Sequence, residues 1–306
     1  SLVHIRMRCF GQEQLYIILP YFNFCGFRRR HQLFLEFVER YAAEPRVKIV
    51  VVEALGPAPL GKLPVFKHLR FQTKSTIWLK ENLINLGIES LPQKWKYVAW
   101  IDADLEFLNP TWVSDTIEQL QDADIVQMWR SAINLGPHGE TIKVDKSFAY
   151  MFVGSDTKWS PTDKYGFWHP GYAWACTRKA YDTMGGLVEW GILGSGDRHI
   201  AMCLAGLGQE SCPVNIHENY KALLRLYESR VKRFKVSWVD GSIVHYWHGS
   251  FADRRYKERW EILTKNGFDP YEDIEYTRDG VVQLSAHGQR FEKFLNEYFI
   301  GRKEDS

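Results

Sequence analysis

Two carboxylates one residue apart, Asp102 and Asp104, follow directly on the apolar run Tyr97-Val98-Ala99-Trp100-Ile101. Such a run reads as a strand buried on both faces, as in a parallel sheet. Chain leaving that strand lies at the carboxyl end of the sheet, where open α/β sheets bind ligands. Two carboxylates there, with little apolar cover, suit a hard divalent cation and a diphosphate ligand. The triplet by itself is a weak motif, arising by chance roughly once in a chain of this size, and its place at the strand end is what strengthens it. A further carboxylate, Asp197, sits on the glycine-rich loop Gly194-Ser195-Gly196 at the start of a helix. It reads as a plain helix cap or as a general base for an attacking hydroxyl, and the two roles can coexist. Finally, Ile243-Val244-His245-Tyr246-Trp247-His248-Gly249 is a strand ending in two imidazoles. Each is either structural or a ligand that completes an oxygen/nitrogen set with the Asp pair, a set that favours manganese over calcium.

The elements that must position these groups follow from the pattern. Gln14 to Pro20 is a first buried strand, running into Tyr21-Phe22-Asn23 and then Arg28-Arg29-Arg30. The loop after the first strand of a doubly wound sheet meets the nucleotide. Its aromatics can hold a base and its arginines a phosphate, unless the arginines are only a solvated helix start. Gln32 to Tyr41 has helical spacing, Val47 to Val52 is a second strand, and Leu55 to Pro64 is a loop. Ser75 is a candidate cap for a helix running to Leu86, with Gly87 as its stop. Lys80, Glu81 and Asn82 lie on that helix's polar side, as exposed surface or within reach of the ligand. Beyond the carboxylate pair, a helix from Thr111 to Leu120 and a strand from Ile125 to Trp129 complete a β-α-β alternation. Ser131 to Trp168 loosens into Gly, Pro, Asp and Lys among aromatics, and is a candidate acceptor-binding lid. His169 to Ala175 reads as a turn into a strand, with Gly171 letting backbone approach a ligand and Trp174 as a stacking wall. Thr177 caps the helix Arg178 to Met184, which Gly185-Gly186 stop. Asp253 to Trp260 reads as a basic helix stopped at Gly267. With Arg230, Lys232, Arg233 and Lys235 it is a candidate phosphate-tracking surface or a solvated face. Asp279-Gly280 is a hairpin turn and Gln289 to Ile300 a last amphipathic helix.

Composition narrows the classes. A chain of 306 residues can bury one large α/β core or two small ones. The 12 Trp suit a site that stacks on sugars or bases, or simply an aromatic core. A net charge of +2 carries no global nucleic-acid signature. The five Cys (Cys9, Cys25, Cys176, Cys203, Cys212) are odd in number and lack Cys-x-x-Cys spacing, which argues for reduced thiols and against a zinc site. With no signal peptide and no run of about 18 apolar residues, the expectation is a soluble, cytoplasmic protein with no membrane span. The absence of Gly-x-Gly-x-x-Gly after the first strand, and of a Gly-Lys-Ser/Thr loop, counts against a nicotinamide dehydrogenase and a P-loop enzyme.

Taken in order, Tyr21-Phe22-Asn23, Asp102-x-Asp104, Gly171-Tyr172-Ala173-Trp174-Ala175, Gly194-Ser195-Gly196-Asp197 and His245/His248-Gly249 resemble a GT-A fold glycosyltransferase over nearly the whole chain. The resemblance implies one α/β domain, residues 1–306, with a Rossmann-like, mainly parallel mixed central sheet flanked by helices and a C-terminal helical extension. Residues 1–130 would bind the nucleotide sugar; residues 131–306 would bind the acceptor and carry catalysis. It implies Mn²⁺ or Mg²⁺ on Asp104, with Asp102 on the metal or the donor ribose. A late His gives the third ligand, and departure from the commoner His-x-x-Gly form leaves His245 and His248 both open. It further implies Asp197 as the base of an inverting enzyme and a UDP-sugar as donor, and Tyr21, Asn23, Arg28, Lys80, Ala103 and Trp174 are the further donor-site candidates. The fuller string His-Tyr-Trp-His-Gly-Ser, followed by Arg255-Tyr256 and Arg259, resembles viral and phage-type glycosyltransferases proposed to modify DNA bases. That implies DNA bearing 5-hydroxymethylated pyrimidines, such as 5-hydroxymethylcytosine, as acceptor. A glycan, lipid or protein acceptor, a metal-dependent phosphohydrolase, and a non-catalytic sugar- or nucleic-acid-binding module are the alternatives.

Overall fold

The computed structural model describes residues 13–161 and 168–306. In chain order its first half holds β1 (Leu15–Phe22), α1 (Arg28–Tyr41), β2 (Val47–Ala54), β3 (Lys67–Phe71), α2 (Lys80–Glu89), β4 (Tyr97–Ile101), β5 (Leu105–Phe107), α3 (Trp112–Gln119), β6 (Ile125–Gln127), β7 (Ser131–Leu135) and β8 (Thr141–Ser147). Then follow β9 (Trp168–His169), β10 (Ala173–Thr177), α4 (Arg178–Met184), α5 (Gly196–Leu204), α6 (Glu218–Val231), β11 (Val236–Trp238), β12 (Ser242–His245), α7 (Tyr256–Lys265), β13 (Ile274–Tyr276), β14 (Val282–Leu284) and α8 (Glu292–Gly301).

β1, β2 and β4 are the continuous apolar runs, and they form the middle of a seven-stranded sheet of order β11-β6-β10-β4-β1-β2-β3. Every neighbour pair in it is parallel except those of β10, which runs antiparallel to both β4 and β6. Alternate residues face two cores, as the pleat requires. Ile18, Val52, Val98 and Trp100 pack with α2, α4, α5, α6 and α8 on one side. Ile17, Leu19, Val51, Ala99 and Ile101 pack with α1 and α3 on the other. The expected architecture, a mainly parallel central sheet flanked by helices with helices at the C-terminal end, is therefore present. The chain winds outward from β1 to β3 and returns beside β1 as β4. That reversal opens a crevice at the carboxyl ends of β1 and β4, the place where such sheets bind ligands.

A second sheet, β5-β12-β7-β8-β9, stands beside this crevice. It corrects the expectation of a loosened loop: much of 131–168 is the antiparallel β7/β8 pair followed by a π-helical turn, Tyr150–Gly154. Residues 162–167 of that stretch lie outside the described residues. The expected cap and stop of α2 are also corrected. The helix begins at Lys80, and the Ser75 hydroxyl instead accepts the Leu284 amide at 3.0 Å. Gly87 lies inside the helix, where a Cβ would come within 2.7 Å of Ile18 and 2.8 Å of Val52. Thr177 does cap α4, accepting the Ala180 amide, and Gly185 ends it in the left-handed region.

Candidate active site

Strand pairing assembles the site. Ala173 of β10 pairs with Ile101 of β4, and the Asp102 amide bonds the Tyr172 carbonyl at 2.8 Å. His245 of β12 pairs with Leu105 of β5 on one side and with Asn134 of β7 on the other. The Tyr246 amide bonds the Asp104 carbonyl at 3.0 Å. Thus Asp104, at the end of the large sheet, is tied to the edge of the small one. Its Oδ2 lies 3.2 Å from His245 Nε2 and 2.6 Å from His248 Nε2. Ligand atoms of the three side chains lie within 4.8 Å of one another.

Each imidazole is oriented from behind. His245 Nδ1 stands 2.9 Å from Asn134 Oδ1, whose amide is held by donating Nδ2 to the buried Asp145 carboxylate at 3.0 Å. The Tyr172 hydroxyl donates to the same Asn134 oxygen at 2.8 Å. His248 Nδ1 stands 2.9 Å from the buried Glu304 carboxylate. Carbonyl and carboxylate oxygens only accept, so both Nδ1 atoms carry a proton and both Nε2 atoms turn toward Asp104, where a cation would take their lone pairs. Arg254 Nη2, 3.1 Å from His248 Nε2, meets part of that concentration of acceptors. Asp104 Oδ1 is buried with no hydrogen-bond partner among the described residues. A divalent cation fits this set, and two imidazoles with one carboxylate suit a first-row transition metal better than magnesium or calcium. Burial lowers the His245 pKa, against the opposing pull of Asp104. Burial also pushes the Asp104 carboxyl up, but the two imidazoles outweigh it and hold it well below the usual carboxylate range.

Asp102 takes a different partner. Lys80 Nζ lies 2.8 Å from Asp102 Oδ1 and 2.8 Å from Asp197 Oδ2, bridging the strand end to the glycine-rich loop. Lys80 is therefore buried between two carboxylates rather than spread on an exposed face. Glu81 stands beside them, taking the Trp78 indole N–H at 3.0 Å. Burial raises the Asp102 carboxyl to about 6 and that of Glu81 to about 7, each against the opposing pull of Lys80. Asp197 occupies the first turn of α5, one residue inside its Gly196 start, so it is not the cap. Ser195, in the left-handed region at φ 74°, turns the loop so that Ser195 Oγ meets Arg259 Nη2 at 2.7 Å.

A cavity of about 370 Å³ collects these groups: Tyr21, Lys80, Asp102, Ala103, Asp104, Asp197, His245 and His248 all line it. Three expected donor-site residues do not. Asn23 is buried and spans the turn before α1, donating to the Phe27 carbonyl at 2.8 Å and accepting its amide at 2.9 Å. Arg28 is exposed; its backbone N–H meets Asp305, and Arg30, two residues on, reaches the cavity instead. Trp174 is 1% exposed in the core, paired across the sheet with Trp100. The aromatic walls are Tyr21, Phe22, Phe34, Trp78, Tyr172 and Phe251. Gly171 does permit a close approach, but what approaches is Asp197, whose Oδ2 would be 2.8 Å from a Cβ there. The basic helix is corrected too. Arg259 turns inward to the Leu193 carbonyl, Arg255 Nη2 donates to the Glu297 carbonyl, and Lys265 pairs with Glu261. Asn134, Asp145 and Glu304 had no signal in the sequence, because their partners are brought to them only by the small sheet and by the chain after α8.

No family model matches the sequence, and no curated protein matches it. Solved structures similar in outline include the catalytic domain of Drosophila beta1,4-galactosyltransferase 7 with xylobiose (14% identity, TM-score 0.38, 64% of this chain and 62% of that one). A variant of the same Drosophila enzyme with manganese, UDP-Gal and xylobiose gives 10% identity and TM-score 0.45, over 92% of this chain and 98% of that one. Glucosyl-3-phosphoglycerate synthase from Mycobacterium tuberculosis with Mn²⁺, UDP and glucosyl-3-phosphoglycerate gives 8% identity and TM-score 0.41, over 90% and 88%. At these values the likeness is one of outline, and function has to be argued from the site. Among the described residues no helix is long and apolar enough to cross a membrane.

Proposed function

We propose that the protein is a metal-dependent glycosyltransferase that moves a sugar from a nucleotide sugar, a UDP-sugar first among candidates, to an acceptor hydroxyl with inversion. One observation carries the reading. The Asp104–His245–His248 cluster and the Lys80-held Asp197 open on the same cavity. A cation site and a carboxylate facing one cavity suit a displacement in which diphosphate leaves and a hydroxyl attacks. A bound Mn²⁺ would neutralise the leaving diphosphate. Arg30 and Lys143, also on the cavity wall, add positive charge for the same group. Lys80 engages Asp197 Oδ2, leaving Oδ1 to take the proton as the acceptor oxygen bonds to the anomeric carbon and the bond to diphosphate breaks. Asp102, on the other side of Lys80, would meet the donor, while Asp104 and the two imidazoles would hold the cation. The base would find an apolar seat among the aromatic residues of the cavity wall.

The acceptor is narrowed less. Hydroxymethylated pyrimidine in DNA remains one candidate, and glycan, lipid and protein hydroxyls are the others. The inward-turned arginine of α7 leaves the DNA reading resting on the sequence string alone. The test is a transfer assay with Mn²⁺, a panel of nucleotide sugars, and acceptors that include DNA with and without 5-hydroxymethylcytosine, read by mass spectrometry of the products. Asp104→Ala should abolish transfer and metal dependence together. Asp197→Asn should spare donor binding and lower turnover by about 10²–10⁴-fold. Near-normal turnover in Asp197→Asn would reject it as the base. Nucleotide-sugar hydrolysis outrunning transfer to every acceptor would make the protein a hydrolase.

A further inference from the structure

Residues 302–306, which follow α8, run across the first turn of α1 and the chain leaving β12, and each side of that passage is keyed to them. The first amides of a helix have no partner within it. Here Arg28 N and Arg29 N meet Asp305 Oδ2 at 3.1 Å and Oδ1 at 2.8 Å. The Trp247 indole donates to the Ser306 carbonyl at 2.6 Å, and the Arg29 guanidinium to the Trp247 carbonyl at 2.8 Å. Gly249, at φ 98°, leaves the gap the segment fills: a Cβ there would be 3.0 Å from the carbonyl oxygens of Arg302 and Lys303. Within this segment Glu304 is 4% exposed. One edge of its carboxylate takes the Arg30 guanidinium, with Nε to Oε2 at 3.0 Å, and Oε1 also meets His248 Nδ1 at 2.9 Å.

We propose that Glu304 is a positioning residue for the cation site, carried there by residues 302–306 acting as a strap. By accepting the His248 Nδ1 proton it fixes the tautomer and ring angle that turn Nε2 toward Asp104. Arg30 holds the carboxylate in place and lines the cavity itself, so donor seat and cation site share one support. A carboxylate behind a ligating imidazole raises its basicity and fixes its orientation, and loss of such a partner weakens metal binding about 10–100-fold. The inference rests on Asp104, His245 and His248 holding a cation.

The experiment is Mn²⁺ titration of the nucleotide-free protein, reading free Mn²⁺ by electron paramagnetic resonance, for the parent, Glu304→Gln, Glu304→Ala and Asp104→Ala. Glu304→Gln keeps the side-chain volume, so the test survives if the alanine variant folds poorly. The expected result is Mn²⁺ affinity about 10–100-fold weaker in both Glu304 variants, with transfer recovered at saturating Mn²⁺. Nitrogen spectra of the metal-free protein with labelled histidine give a second readout. In the parent His248 Nδ1 should be protonated whatever the state of Nε2, and in the Glu304 variants a mixture of tautomers should appear, which a merely structural role would not produce. Affinity within about twofold of the parent and an unchanged tautomer would overturn the strap and leave the cation site standing. A parent that binds Mn²⁺ no better than Asp104→Ala would overturn the cation site, and the inference with it.

Discussion

Asp197 and its surroundings show how much depends on single atoms. Gly171 is not among the residues in the left-handed region, so its backbone does not call for glycine on that ground, but an added methyl would meet Asp197 Oδ2 at 2.8 Å and His169 Cε1 at 3.0 Å. We expect Gly171→Ala to push the carboxylate off Lys80 and lower kcat by about 10²-fold, since a displacement near 1 Å costs that much in a positioned reaction. Donor KM and the unfolding temperature should stay close to the parent's. An unchanged kcat would show that Asp197 needs no fixed place. The carboxylates themselves were legible in the sequence, because a buried run ending in Asp102 and Asp104 has few other readings. Their division of labour was not. It depends on Lys80 and on two imidazoles from the other end of the chain, and nothing in Asp-x-Asp spacing says which carboxylate meets which. Trp174 was misplaced for a related reason. A large aromatic beside a glycine suits a ligand wall, but β10 pairs it with Trp100 and turns it into the core, leaving Tyr172, just before the strand, at the site.

At the scale of elements, α2 carries the site because it can lie close to the sheet. Gly87 sets that distance, its missing side chain being where Ile18 and Val52 press against the helix. In an exposed helix, glycine to alanine would stabilise by about 1 kcal/mol through propensity. Here we expect Gly87→Ala to destabilise by about 1–3 kcal/mol, because a methyl forced into a packed core costs more than that gain. Equilibrium denaturation gives the sign. Lys80 and Glu81 at the other end of α2 should shift with it, so activity at a permissive temperature should fall as well. Strands β1, β2 and β4 could be read from sequence because they are buried on both faces and show unbroken apolar runs. The β7/β8 pair could not. β7 buries the polar Asn134, and β8 alternates with its apolar Ile142 and Val144 exposed and its polar Asp145 and Ser147 buried, so the pattern points away from the face that packs. That gap cost the sequence reading the residue that orients His245.

For the whole molecule, a net charge of +2 hides an uneven distribution. Arg30, Lys80, Lys143, Arg198, Arg254, Arg259 and Arg302 face the cavity, against Glu81, Asp102, Asp104, Asp145 and Asp197. Several of these cations are held by carboxylates, while Asp104 keeps a buried oxygen with no hydrogen-bond partner among the described residues. Nucleotide and cation should therefore bind as a linked pair, each supplying charge the other's seat lacks. The large sheet provides Asp104 and the segment around β12 provides both imidazoles, so joint binding fastens the two sheets together. At a hundredfold excess over Kd a ligand specific for the folded state adds about 2.7 kcal/mol, or about 4 °C in unfolding temperature for a chain of this size. We expect that rise with UDP and Mn²⁺ together and a much smaller one with UDP and a chelator. Asp104→Ala should lose the metal-dependent part alone, because the aromatic wall that would seat the base is untouched. Equal stabilisation with and without the metal would separate the nucleotide from the cation cluster. The Asp104–His245–His248 group would then be a structural tie between the sheets, and the leaving group would have to rely on the arginines.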